Sequence, residues 1–315
     1  MRWGEKRYHS LDYELKQMFK EKVYKIALNG GMTCPNRDGH VGTGGCIFCS
    51  SQGSGDFAGS ARLSIAEQIR QGKADISSKR PVHSYIAYFQ AFTNTYAPVE
   101  TLRALYMEAI ADPEVKILSI ATRPDCLGAD VLALLDEINH IKPVWVELGL
   151  QTIHPETSAY IRRGYELSVF EQAVKELRAI GITVIVHTIL YLPGETKDDM
   201  LDTIHYLNHM DIQGIKLQLL HVLTHTDLAA DYEKHPFYIP DMQDYIQFLG
   251  TCIAQLNPEI VIHRLTGDGP KDLLIAPLWT SNKRTVLNQL HSHLKGTGYL
   301  AGKGVLCLKL IHCIN

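Results

Sequence analysis

The sequence predicts an α/β fold: a partial (β/α)6 TIM-like barrel with a small C-terminal extension. Six short apolar runs recur along the chain, and longer segments with apolar positions three and four apart lie between them. That is the alternation of buried strand and crossover helix that builds a parallel sheet. No GxGxxG follows the first run, which favours a barrel-like curl over a doubly wound dinucleotide-binding sheet. At 315 residues the chain could form two average domains, but a barrel of this size is commonly one.

The expected strands are VYKIALNGG (23–31), SYIAYFQA (84–91), KILSIATRP (116–124), VWVELGLQ (144–151), TVIVHTILYLPG (183–194) and IKLQLLHV (215–222). Their Ile, Val, Leu and Tyr content suits strands buried on both faces. The segments LSIAEQIRQGKADI, PVETLRALYMEAI, ADVLALLDEI, SVFEQAVKELRAIGI and TKDDMLDTIHYLNHM read as the intervening helices. In the last of these Thr196 is placed to cap the helix, with Asp198 and Asp199 in its first turn. The expected organisation is a basic segment over 1–22, the barrel over 23–225 and an extension over 226–315. The extension holds a helix near 241–256, a strand over 259–268 and a helix near 282–294. Such a barrel binds substrate at the carboxyl ends of its strands, so the loops after the strands should carry the chemistry.

Composition is that of a soluble globular protein, with 45% hydrophobic and 21% charged residues. The net charge of −3 is unevenly spread. The first 25 residues hold seven bases against four acids, and Thr280 to Asn315 holds five bases and no acid. Cationic ends could meet a phosphate-bearing partner, or simply be solvated surface. The amino terminus lacks a signal-peptide run, and nowhere are there about 18 consecutive apolar residues to span a bilayer, so a cytoplasmic location without membrane insertion is expected. The closing VLCLKLIHCIN is too short to cross one.

Of seven cysteines, three cluster just after the first strand, in MTCPNRDGHVGTGGCIFC (Met32 to Cys49). Cys34, Cys46 and Cys49 are spaced Cx11CxxC, which in a reducing compartment reads as metal ligation. Two species fit. With His40 as a fourth donor the set could close around a structural zinc. Three thiolates alone suit a [4Fe–4S] cluster with one iron left open. Cys126 and the remaining cysteines are scattered, as small buried hydrophobes usually are.

The ordered stretches CPNRDG, CIFC, YFQAFTNTY, ATRPDC, ELGLQT, RRG, LPGET and RLTGD together resemble the radical S-adenosylmethionine (SAM) superfamily. The resemblance is to the branch containing the catalytic subunit of Elongator, and most of all to the bacterial YtqA/YhcC family. It covers roughly residues 3–295. The commonest superfamily spacing is Cx3CxxC, and the long first gap here departs from it.

The resemblance implies a radical SAM core. Cys34, Cys46 and Cys49 would bind three irons of a [4Fe–4S] cluster, and the fourth iron would bind the amino and carboxylate groups of S-adenosyl-L-methionine. A reductant such as flavodoxin or ferredoxin would deliver the electron that releases a 5′-deoxyadenosyl radical. Phe48 would help to dry the cluster. Gln90, Ala91, Phe92 and Thr93 would form the edge that meets the methionyl amine. Gln151 would bind the ribose or carboxylate, and Arg163, on the helix after strand four, would pair with the carboxylate. His187 could touch the ribose or be a satisfied core histidine. Glu195 lies near the same rim.

Glu147 and Gln151 are four apart and expected on one side of their strand. Glu147 would then be a buried carboxylate needing a partner, with Arg123 the candidate. Asp125 and Cys126 stand where a proton or hydrogen-atom donor could act. Cys126, Glu147 and His187 are thus the candidate catalytic residues. The family analogy further implies a tRNA substrate, the wobble uridine, whose C5 side chain would pass from carboxymethylaminomethyl toward aminomethyl. Tyr96, Phe92 or Tyr191 could stack on the base. Lys283, Arg284 and Lys295 could contact the RNA backbone. A radical SAM enzyme with another substrate, or a zinc-stabilised α/β protein that binds RNA without catalysis, are the alternatives.

Overall fold

The computed structural model describes residues 3–78, 82–267 and 269–302. The expected C-terminal run 305–315, with Cys307 and Cys313, lies outside them, as do Arg2 and the aspartate of RLTGD. Helix α1 (Leu11–Phe19) precedes strand β1 (Tyr24–Leu28). The repeating units follow as α2 (Ile65–Ser77), β2 (Tyr85–Phe89), α3 (Val99–Ala111), β3 (Val115–Thr122), α4 (Ala129–Asn139), β4 (Val144–Gln151), α5 (Pro155–Tyr160), α6 (Leu167–Ala179), β5 (Thr183–Leu190), α7 (Lys197–Leu207) and β6 (Gly214–Leu219). The extension adds β7 (Val222–Leu223), α8 (Asp227–Lys234), α9 (Met242–Gln255), β8 (Val261–Arg264), β9 (Leu274–Ala276) and α10 (Lys283–Thr297).

The sheet runs in the order β1-β2-β3-β4-β5-β6-β8. This is the six-unit succession of the expected partial barrel, with a seventh strand contributed by the extension. β7 and β9 form a separate antiparallel pair.

By internal contacts the chain divides into two compact units. The first holds the described residues of 15–150 together with 162–186. The second holds Gln151–Ile161 with the described residues of 1–14 and 187–315.

In the first unit β1 to β4 pair in parallel register, for example Ala27↔Tyr88 and Ala121↔Glu147. β2 is buried on both faces along its whole length. Helix α2 begins at a reciprocal capping box between Ser64 and Glu67. It lies so close on β1 that a Cβ at Gly72 would come within 2.4 Å of Ile26 Cγ2.

In the second unit α9 packs on α10 and on α7. The amino-terminal segment bridges in parallel to β8 through Ser10 and Ile262. Helix α7 carries the expected cap, Thr196 and Asp199 exchanging hydrogen bonds in a capping box. Among the described residues no helix is long and apolar enough to cross a membrane.

Two expectations about local structure change. Arg163 is not on a helix: α5 stops at Tyr160, and Arg163 lies in the connection before α6. Strand alternation does not extend to Gln151, which closes β4 with φ of +63°. Left-handed backbone of this kind departs from the regular strand geometry on which the two-residue period rests.

Candidate metal and cofactor site

The cysteine loop follows β1 and folds on itself through short backbone bonds, Arg37 N–H to Cys34 O at 2.8 Å and Gly45 N–H to Asn36 O at 2.7 Å among them. Cys34, Cys46 and Cys49 are half-buried free thiols. The Cys46 thiol donates to Cys49. That bond is the main reason Cys49 is pulled down to about 7, with the Arg37 guanidinium adding to the effect, while Cys46 is pushed far up. A thiol whose acidity is raised by a neighbouring thiol and a guanidinium suits thiolate ligation of a metal.

The amide Nδ2 of buried Asn36 lies 3.6 Å from Cys46 Sγ and 2.6 Å from Arg162 O. The Arg37 guanidinium donates to Ser50 O at 2.5 Å and lies 5.4 Å over the Phe92 ring. Donors and cations around sulfur stabilise thiolate ligands.

The donor set distinguishes the two metals. Among the described residues no three Cys, His, Asp or Glu side chains converge tightly enough to chelate a single ion. His40 is exposed and faces Tyr96, ring to ring at 6.3 Å. A four-donor zinc site requires that convergence. Three thiols that each ligate a separate iron of a cluster do not, and the residues present fit a [4Fe–4S] group.

Behind the loop, Tyr165 is held between two buried arginines, Arg123 at 4.8 Å and Arg163 at 4.9 Å from its ring. Arg123 forks onto Asp125 at 2.9 and 2.7 Å and donates to Arg163 O at 2.8 Å. Arg163 donates to Leu150 O at 3.0 Å and Tyr165 O at 3.1 Å, and the Tyr165 hydroxyl donates to Gly149 O at 2.5 Å. Burial opposes the Arg163 charge. These bonds fix the end of β4 and set two cations near the cysteines.

Arg123 is therefore not the partner of Glu147. Glu147, only 1% exposed, accepts from Lys25 Nζ at 2.6 Å and from Ser119 Oγ at 2.8 Å. A lysine on β1 reaches it first, and Arg123 is taken up by an acid two residues away.

The Gln90–Thr93 edge leaves β2 with Phe92 at φ of +61°. The glycine-rich segment after the cysteines packs on it: Gln90 donates to Ser54 O at 2.7 Å, and a Cβ on Gly55 would meet the Ala91 Cβ at 2.5 Å. Asn94 and Thr95 buttress this edge. Asn94 donates to Phe89 O and Ala121 O, and the Thr95 hydroxyl bonds Thr122 Oγ1 and Cys126 O, each at 2.6 Å. Sequence reasoning quoted the stretches holding Asn36, Arg37 and Asn94 but assigned these residues no role.

A cleft of about 520 Å³ opens beside the loop, lined by Pro35, His40, Val41, Tyr96, Asp125 and Cys126 among others. The Cys126 thiol is pushed up to about 12 by burial and by Asp125, so it stays protonated across the physiological range.

In the second unit His187 is half-buried on β5. Tyr191, just past it at φ of +64°, is 5% exposed, donates to Asp244 at 2.9 Å and faces Tyr238. It is not available for stacking on a base. Burial holds Glu195 above the usual carboxylate range, against hydrogen bonds from Thr152 and Thr157.

Comparison with known proteins agrees with this reading. The radical SAM superfamily model matches residues 36–207, and the Radical_SAM C-terminal domain matches 212–296. YtqA of Bacillus subtilis is 45% identical over 299 residues, 95% of this chain and 93% of that protein. YhcC of Escherichia coli is 37% identical over 287 residues, 90% and 91% of the two chains. Among solved structures, Elp3 of Methanocaldococcus infernus superposes with a TM-score of 0.69 at 13% identity, over 89% of this chain and 64% of that one. SuiB of Streptococcus suis, solved with S-adenosylmethionine bound, superposes with a TM-score of 0.52 at 11% identity, over 82% and 54%. The fold is the partial barrel expected from the sequence, and the chain belongs to the radical SAM superfamily, whose cofactors are a [4Fe–4S] cluster and S-adenosylmethionine.

Proposed function

We propose that this radical SAM enzyme remodels the C5 side chain of the wobble uridine of tRNA, from carboxymethylaminomethyl toward aminomethyl. In this reading Cys34, Cys46 and Cys49 hold the cluster, and the Gln90–Thr93 edge and Gln151 hold S-adenosylmethionine. Arg163 acts through the strand end it fixes, by its bonds to Leu150 O and Tyr165 O. His187 contacts the ribose hydroxyls, and Glu147 holds the charge of Lys25 inside the sheet. Once bound, the cluster and cofactor supply an organic radical able to take a hydrogen atom from an unactivated carbon. A one-electron reductant is required, and we assign flavodoxin or ferredoxin to that role.

The observation that carries the reading is the cleft of about 520 Å³ beside the cysteine loop. It is roomy enough for a flipped nucleobase, has the rings of His40 and Tyr96 to stack on it, and presents the protonated thiol of Cys126. Such a thiol holds a hydrogen on Sγ within reach of a substrate in the cleft. The test is mass spectrometry of tRNA nucleosides from cells lacking the protein. Accumulation of carboxymethylaminomethyl-uridine is expected; an unchanged set of C5-modified wobble uridines would sink the reading.

A further inference from the structure

The cleft beside the cysteine loop, all of it within the first unit, has a one-sided charge. Its walls hold two carboxylates, Asp125 and Asp130, and neither a lysine nor an arginine. Asp125 brings no free charge, because both of its oxygens are taken by the Arg123 guanidinium at 2.9 and 2.7 Å. Arg123 itself is buried and does not line the cleft. Asp130 is left as the uncompensated carboxylate of the lining.

Local structure accounts for one of its oxygens. Asp130 stands in the first turn of α4, whose N-cap, Gly128, has no side chain to offer, and its Oδ1 accepts from Val131 N at 2.9 Å. Its Oδ2 has no hydrogen-bond or ion-pair partner among the described residues. A Cβ on Gly128 would stand 2.8 Å from Oδ1, so the carboxylate lies over a residue that itself lines the cleft. The aromatic part of the lining points to the same kind of ligand. Tyr96 and His40 face each other, and Asp38 secures both, accepting from the Tyr96 hydroxyl and from His40 N at 3.1 Å. The face of a tyrosine ring is negative and attracts cations. A phosphate or carboxylate entering this cleft meets repulsion, whereas an ammonium group meets a carboxylate oxygen with no partner and an aromatic face.

We infer that Asp130 determines specificity for the C5 side chain, its Oδ2 pairing with the protonated nitrogen of the carboxymethylaminomethyl group while the base stacks at Tyr96. The inference rests on the wobble-uridine reading. An aliphatic amine carries a proton near neutral pH, and this nitrogen is kept in the aminomethyl product. The cleft therefore grips the atom that survives the reaction, and the anionic carboxymethyl arm is turned away from the cleft acids. An unmodified uridine carries no charge at C5, so Asp130 selects tRNAs in which the side chain is already in place.

The reconstituted protein is loaded with S-adenosylmethionine, kept without reductant so that nothing turns over, and titrated with two anticodon stem-loop RNAs by fluorescence anisotropy. One carries carboxymethylaminomethyl-uridine and the other its ether analogue, with oxygen in place of the NH. The two RNAs have the same phosphates, so contacts to the backbone cancel in the ratio of their affinities. The wild-type protein is expected to bind the amine about fivefold more tightly, the scale of an ion pair at a partly open site. Asp130→Asn, which keeps an acceptor for Val131 N, should bring the ratio to one, and Asp130→Glu should retain part of it. Equal affinity of the wild type for amine and ether overturns the role of Asp130, and turnover of the amine RNA after reduction then leaves the wobble-uridine reading intact. A preference undiminished in Asp130→Asn puts the nitrogen elsewhere and overturns the role as well. Failure of the reduced enzyme to turn over the amine RNA removes the wobble-uridine reading, and the role of Asp130 with it. The wild-type comparison needs no variant to fold.

Discussion

Asn36 Nδ2 stands 3.6 Å from Cys46 Sγ, and Cys46 and the Arg37 guanidinium pull the Cys49 thiol down, so these residues suit thiolate ligation. Replacing Cys34, Cys46 or Cys49 by alanine is expected to abolish the brown absorbance and the iron and sulfide content of reconstituted protein. His40→Ala should leave all three unchanged, since His40 is exposed and turned to Tyr96. Zinc loss in the His40 variant would contradict the assignment. Gln151→Ala should keep the cluster and weaken S-adenosylmethionine binding by about 1.5–3 kcal/mol if it loses a hydrogen bond to a charged group, measured by calorimetry under anaerobic conditions. Glu195 supplies a pH test. Its folded-state affinity for a proton is raised, chiefly by burial, and its Oε1 has no partner among the described residues. A carboxyl of this kind contributes most to stability below its unfolded pKa of about 4.3, and that contribution is lost as pH rises through the folded value. Glu195→Gln should therefore unfold at higher temperature than the wild type at neutral pH, with the advantage vanishing in acid. A constant difference across pH would show that the carboxyl ionises freely.

The elements were legible where period and punctuation agree. Each of the six expected strands is present, and the Thr196 cap was readable because its partner stands three residues away. Thr196→Ala should cost about 1 kcal/mol in denaturant unfolding and Thr196→Ser much less; equal losses would mean that the capping oxygen is not what matters there. β2 and β5 end earlier than their apolar runs suggest, at Phe89 and Leu190, and Phe92 and Tyr191 take left-handed backbone just beyond them; Gln151 does so at the last residue of β4, where its run also ends. Non-glycine residues rarely adopt that conformation without surrounding structure to enforce it, and such positions gather at binding sites. Nothing in the side chains of Phe, Gln and Tyr announces it. Helices α1 and α5 were missed for a different reason: at 9 and 6 residues they give the periodicity too few turns to register. The partner of Glu147 was missed because Lys25 lies 122 residues away in sequence and on β1, which β2 and β3 separate from β4 in the sheet, so neither neighbouring residues nor paired strands point to it.

At the scale of the molecule, charge is the feature whose meaning changed most between sequence and structure. A net charge of −3 argues against indiscriminate RNA binding, yet one cation from each end, Lys6 and Lys295, lies near His291. The Tyr8 ring stacks on His291 of α10 at 6.2 Å. Burial, followed by the nearby charges of Lys6 and Lys295, holds the proton affinity of His291 down. Lys6 of the amino-terminal segment and Lys295 of α10 therefore lie near one another, both beside His291. Lys283, Arg284 and Lys295 on α10 are all exposed, and no acidic residue occurs from Leu273 onward. A local patch of this kind binds a polyanion by releasing its counterions, so affinity for tRNA should fall linearly with the logarithm of salt concentration, with a slope of roughly −0.7 to −0.9 per phosphate neutralised. Reversing two charges, Lys6→Glu with Lys295→Glu, should weaken tRNA binding about equally for every tRNA species and flatten that slope by roughly 1.5. Filter binding over a potassium chloride series reads both quantities. A slope unaltered by the double variant would place the RNA elsewhere on the molecule. A loss confined to one tRNA species would mean that these lysines read sequence instead of holding the backbone.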